Sequence, residues 1–140
     1  EWQTDEAMAR ACGAAPLLDE AKSFADMAAA TDDLQLVLAT TARPRDANVQ
    51  VLEPRAAARR AAAAVAAGER VGILFGSETN GLSNDELTYA SALVSVPTNP
   101  LFSSLNLAQA VLLLCYEYAG AAAELREAPP APRHGFAEKE

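Results

Sequence analysis

At 140 residues and 14.7 kDa, with 51% of its residues hydrophobic, the chain is the size of one domain with a single core. A formal charge of −8 and a pI near 4.6 argue against a free-standing nucleic-acid binder, because neutralising phosphates needs a basic surface. Cys12 and Cys115 lie far apart without C-x-x-C spacing, which indicates neither a zinc knuckle nor a disulfide framework and fits a reduced, cytoplasmic protein.

In chain order, "TDEAMARACGA" (4–14) and "DEAKSFADMAAATDD" (19–33) have the pattern of amphipathic helices. "LQLVLATT" (34–41) reads as a buried strand running into the polar turn "TTARPRD". "EPRAAARRAAAAVAAGE" (53–69) has Pro54 at a first helical position, alanines throughout and Gly68 as a stop, with Arg55, Arg59 and Arg60 read as a solvated face. "RVGILFG" (70–76) is a second buried strand. Ser83 and Glu86 have the spacing of a capping box opening a helix through "LTYASA" (87–92). "LVSVP" (93–97) is a third strand, and "SSLNLAQAVLLLCYEYAGAAAEL" (103–125) a long last helix with Ser103 or Ser104 as its cap. The latter's small polar face suits either a buried core helix or an interface. Its most apolar stretch is too short for a membrane span and carries Gln109 and Glu117, and no signal sequence is recognisable, so no membrane association is expected.

The expected organisation is one domain over 1–124 and a proline-rich, charged tail or linker over 125–140. His134, the only histidine, lies in that tail, where a mobile segment cannot preorganise chemistry. Alternating helices and strands imply an α/β fold with a mainly parallel sheet and flanking helices. Ligands in such sheets bind beyond the carboxyl ends of the strands, which here carry "TTARPR" (40–45), "GSETNG" (76–81) and "PTNPLFSSLN" (97–106). The middle turn lacks the G-x-G-x-x-G of a dinucleotide site and the lysine of a P-loop. It is also not a G-x-S-x-G elbow, and a hydrolase triad would need a histidine within the fold. What remains is a pair of glycines that let the backbone approach a ligand, with Glu78 between them either accepting a ligand hydrogen bond or capping a neighbouring turn. Asn106, an amide in the expected first turn of an apolar helix, calls for a partner. No metal site is expected.

"VGILFGSETNGLSNDEL" followed by "VSVPTNPLFSSLNLAQAVLLLCYE" resembles the second and third motifs of the SPOUT superfamily of RNA methyltransferases, in the TrmH-like branch. With "LVLATTARPRD", the pattern is most similar to the TrmJ-type tRNA (cytidine/uridine-2′-O)-methyltransferases, which modify position 32 of the anticodon loop. The likeness runs over about residues 1–120. It implies a trefoil knot on the C-terminal side, S-adenosylmethionine bound in the knotted loops with S-adenosylhomocysteine as product, and a homodimer that builds the active site.

Carried over by position, the resemblance assigns Thr40 and Thr41 to the first cofactor loop and Gly76, Glu78 and Gly81 to the second. Val96, Pro97, Ser104, Leu105 and Asn106 fall in the third. It implies that Ser104 and Asn106 orient the ribose or cofactor and that Arg43 and Arg45 reach RNA, Arg43 within the active site. The family's first motif, N-I-G-x-x-A-R-A, is absent from these residues, so the domain is expected without its first strand and helix. Three other readings stay open: ribosomal RNA 2′-O-methylation, a methyltransferase-like RNA or cofactor binder without turnover, and a flavodoxin-like nucleotide-binding module.

Overall fold

The computed structural model describes residues 3–42, 48–101 and 105–127. The chain divides into two compact units, residues 1–30 and 31–140.

The first unit consists of short helices. In α1 (Asp5–Arg10) Thr4 caps the amino end, its Oγ1 accepting from the Ala7 N–H at 3.1 Å. Asp5 and Glu6 in the first turn and Arg10 in the last complement the helix dipole. Cys12 and Gly13, both at positive φ, end it. The single helix expected over 19–33 is instead divided. α2 (Ala15–Glu20) starts earlier, with Pro16 in its first turn, and Ala21 turns extended. The chain resumes as α3 (Met27–Thr31) after Asp26, whose carboxylate accepts from the Ala29 N–H at 2.8 Å. A side chain expected inside a helix thus starts a new one, as short acids do when they compete for backbone N–H groups.

The second unit is built on four parallel strands. β1 (Leu36–Thr40), β2 (Val51–Leu52), β3 (Val71–Leu74) and β4 (Ala92–Val94) lie in the order β2-β4-β1-β3. β1 is interior, with Leu38 opposite Ile73 on one side and Ala92 on the other. Continuous burial of Leu36 to Ala39 and Ala92 to Val94 explains why these segments read as apolar runs without alternation. β2, only two residues long at a sheet edge, is not anticipated by the sequence.

α4 (Pro54–Ala66) follows β2, α5 (Asn84–Leu87) follows β3, and α6 (Leu107–Glu127) closes the fold. α4 buries Ala57, Ala58, Ala61 and Ala62 along one face. Side chains this small let α6 approach, and Ala121 packs on Ala58 and Ala62 while Leu114 joins Leu36, Leu38 and Val94 in the main core. Arg55, Arg59 and Arg60 are exposed as expected. Two of them reach across to α6, Arg55 to the half-buried Glu117 at 3.5 Å and Arg59 to the exposed Glu124 at 3.7 Å, and the second, an exposed pair, contributes little.

Two further boundaries differ. α5 is a single turn and does not run through 92, because Ser91 already belongs to the sheet: its N–H donates to Val37 O at 2.7 Å and its Oγ accepts from Val37 N at 3.2 Å. α6 starts at Leu107 and runs to Glu127, so Leu125 to Glu127 are helical and not part of the expected tail. The rest of that tail, including His134, lies outside the described residues. No helix of the described residues is long and apolar enough to cross a membrane.

Candidate functional site

The carboxyl ends of β1, β3 and β4 converge on a cleft of about 290 Å³. This is the place where an open parallel sheet offers backbone groups unclaimed by its ladder. The first loop enters it pinned on both sides. Thr40 Oγ1 donates to Leu74 O of β3 at 3.0 Å, and the Thr41 N–H donates to Val94 O of β4 at 2.9 Å. Thr40 therefore uses its proton to hold two strand ends together.

The loop after β3 closes on itself. Gly81 N–H donates to Ser77 O at 2.9 Å, and Asn80 N–H donates to Ser77 Oγ at 3.1 Å. The returning chain passes directly over Gly76: a Cβ there would sit 2.1 Å from the Gly81 carbonyl carbon and 2.2 Å from the Leu82 nitrogen. Gly81 has φ +67°, in the left-handed region, and nothing lies within 4 Å of where its side chain would be. Each glycine therefore answers a different demand, close approach at 76 and backbone sign at 81. Glu78, at the exposed tip, makes no hydrogen bond or ion pair among the described residues, and the turn is capped by Ser77 instead. The carboxylate is free to meet a ligand.

The third loop brings Val96 and Leu105 into the wall. Pro97 is exposed and does not line the cleft. Asn106 does not line it either. Its Oδ1 accepts from the Ala108 N–H at 2.9 Å and its carbonyl from the Ala110 N–H at 3.0 Å, so it is the residue that caps α6, the role expected of Ser103 or Ser104. The partner that its amide required is thus the helix itself. Arg43, Arg45 and Ser104 lie outside the described residues.

Thr40, Thr41, Gly76, Glu78, Gly81, Val96 and Leu105 therefore share one cleft. Sequence reasoning missed the far wall, made by Leu107, Ala110 and Leu114 of α6, and the near wall, made by Leu82, Asn84 and Leu87 around α5. The i, i+3, i+7 spacing of the first three puts them on one helix face, but does not by itself mark that face as a ligand wall. The lining is divided: hydroxyls, amides and one carboxylate on the glycine-loop side, and aliphatic groups on the α6 side. No lysine or arginine is among the described lining residues, so the cleft does not resemble a phosphate cradle. Among the described lining residues the Glu78 carboxylate is the one charged group and has no cation beside it, which suits a ligand that carries positive charge. Among the described residues no three His, Cys, Asp or Glu side chains are grouped to hold a metal ion.

Residues 1–116 match the SpoU rRNA methylase family. The chain belongs to that family. Within it, the chain is 39% identical over 112 residues to the tRNA (cytidine/uridine/adenosine-2′-O-)-methyltransferase TrmJ of Pseudomonas aeruginosa, covering 80% of this chain and 44% of that protein. Among solved structures, a probable methylase family protein from Haemophilus influenzae superposes with a TM-score of 0.84 at 31% identity, over 96% of this chain and 56% of its own. TrmJ from Z. mobilis gives 0.76 at 40% identity, over 95% and 56%. The chain spans less than half the length of the curated relatives it matches. The mainly parallel α/β sheet is the architecture it shares with the SpoU methylases.

Proposed function

We propose that this chain is the cofactor-binding part of an S-adenosylmethionine-dependent RNA 2′-O-methyltransferase that acts on tRNA, at pyrimidine 32 of the anticodon loop. The observation that carries the reading is the composition of the cleft: a backbone-built glycine loop with a free carboxylate faces an aliphatic wall at the strand ends. S-adenosylmethionine has a flat base, a polar ribose and a methionine end with a sulfonium, an ammonium and one carboxylate, net positive, and it fits a lining so divided. About 290 Å³ is at the small end of ligand pockets, as expected if the ligand is bent and partly open to a second substrate. In this reading the adenine lies against Val96, Leu105 and Leu107, and Glu78 faces the positive end.

When bound, the cofactor supplies an already activated methyl group. The protein's own task is to hold a ribose 2′-hydroxyl in line with it, exclude water and let a proton leave, so positioning provides most of the rate. Thr40 and Thr41 fix the cleft floor, and Ser104 and Asn106 are assigned to the ribose side. Arg43, with Arg45, is assigned to the RNA phosphates and the reacting hydroxyl. A trefoil knot through these loops, a cytoplasmic location and a homodimer complete the proposal. The dimer has support in α6, where Leu112 and Tyr116, one turn apart, are 70% and 75% exposed. A few arginines gathered around a cleft between two copies would reconcile RNA binding with the acidic whole.

Calorimetric titration with S-adenosylhomocysteine, beside flavin and adenosine nucleotides, tests the cofactor. Selective binding near one per chain is expected, and preference for flavin would sink the reading in favour of a flavodoxin-like module. Methyl transfer to tRNA and to ribosomal RNA, with the product nucleotide mapped, tests the substrate. Ribosomal RNA remains the second reading because the family's description names it. Binding of cofactor with no transfer by the whole gene product to either RNA would indicate a non-catalytic binder.

A further inference from the structure

We propose that the reciprocal pair Ser83 and Glu86 is a positioning device for the cleft, acting through the loop and the single turn that form its near wall. The proposal deepens the cofactor reading above and rests on it for its functional meaning.

α5 has four residues, one helical turn, and a lone turn has too few internal hydrogen bonds to offset the cost of nucleating it. Its shape must come from its ends. At the amino end Ser83 N–H donates to Glu86 Oε2 at 2.6 Å, and Glu86 N–H donates to Ser83 Oγ at 3.2 Å. At the other end Thr88 Oγ1 donates to Asp85 O at 2.6 Å. These clamps matter because of where they stand. Leu82, immediately before the pair, and Asn84 and Leu87, within and after it, all line the cleft. Leu82 N is also one of the atoms that pack over Gly76. The carboxylate of Glu86 therefore fixes the exit of the glycine loop at the point where the chain crosses its own start. Glu86 is not itself in the lining, so it acts on a ligand only through these neighbours.

A cap that merely stabilised the fold would change global stability and leave bound ligand unaffected in the folded fraction. A positioning pair changes the local order of 77–82 and the affinity of the cleft together. The test compares the wild-type chain with Glu86→Ala, Glu86→Gln and Ser83→Ala, measuring backbone amide exchange and calorimetric binding of S-adenosylhomocysteine. Glu86→Ala should speed exchange at 77–82 about fivefold and weaken binding by a similar factor, the size expected for loss of one cap. Exchange in Leu36–Thr40 should stay unchanged. Glu86→Gln keeps a carbonyl that can accept from Ser83 N–H and should restore both readouts. Unchanged exchange at 77–82, or acceleration spread evenly into β1, would overturn the proposal. So would normal affinity alongside a loosened loop. If Glu86→Ala does not fold, Ser83→Ala, which removes only the longer of the two bonds, carries the same comparison. If the wild-type chain fails to bind S-adenosylhomocysteine, the cofactor reading falls, while the exchange data still decide whether the pair orders the loop.

Discussion

The loop after β3 keeps its shape with two glycines, bonds to Ser77 at its base and the Ser83–Glu86 pair at its exit, whereas the approach to α6 relies on side-chain amides. In the first, Ser77 O and Oγ receive the N–H groups of Gly81 and Asn80. In the second, Asn99 Oδ1 accepts from Leu101 N–H at 3.0 Å and Asn106 Oδ1 from Ala108 N–H at 2.9 Å. The difference teaches where chemistry is available. A loop held at its base and its exit leaves the tip side chain, Glu78, unspent, while a segment held by amides has committed their acceptor atoms to structure. Asn106 can still offer its NH₂ group to a ligand, but its oxygen is occupied.

Substitutions can break this contrast. The largest effect is expected from Gly76→Ala. Its Cβ would meet main-chain atoms, which no rotamer change can relieve, so a cost of about 3 kcal/mol, at the upper end for overpacking, and loss of ligand binding should follow in denaturant melts and titration. Gly81→Ala meets open space and only the wrong sign of φ, so a smaller loss of roughly 1–2 kcal/mol is expected. Asn106→Ala removes a cap and should lower stability by about 1 kcal/mol while lowering methyl transfer by more than that accounts for. Asn106→Asp sharpens the point, since it retains a cap oxygen but lacks the amide donor. Stability should stay within ~0.5 kcal/mol of wild type, and transfer should still fall if that donor orients the ribose. Transfer at wild-type rate in Asn106→Asp would confine Asn106 to capping.

Much of this organisation was legible beforehand, and the reasons differ by element. β1, β3 and β4 are buried or half-buried along their length, so apolar runs announced them, whereas β2 is two residues at an edge with too short a pattern to register. The expected helix over 19–33 failed because propensity cannot see that Asp26 would cap a new helix instead of continuing an old one. The capping spacing of Ser83 and Glu86 predicted a real pair of bonds, though not how soon the helix would end. In the cleft, glycines, threonines and Glu78 stood out by type. Leu107, Ala110 and Leu114 did not, because an aliphatic residue in a helix becomes a ligand wall only through the angle at which that helix crosses the sheet.

The interior place of β1 has a consequence for synthesis on the ribosome. Val37 depends on Ser91, 54 residues downstream, and the two strands that β1 pairs with among the described residues, β3 and β4, both follow it. At about 5–20 residues per second, roughly 3–11 s separate the emergence of these two partners. Through that interval a strand of Leu36, Val37, Leu38 and Ala39 waits with at least one open edge. Growth at high temperature or strong overexpression should therefore draw this chain into inclusion bodies more readily than its native stability alone would suggest.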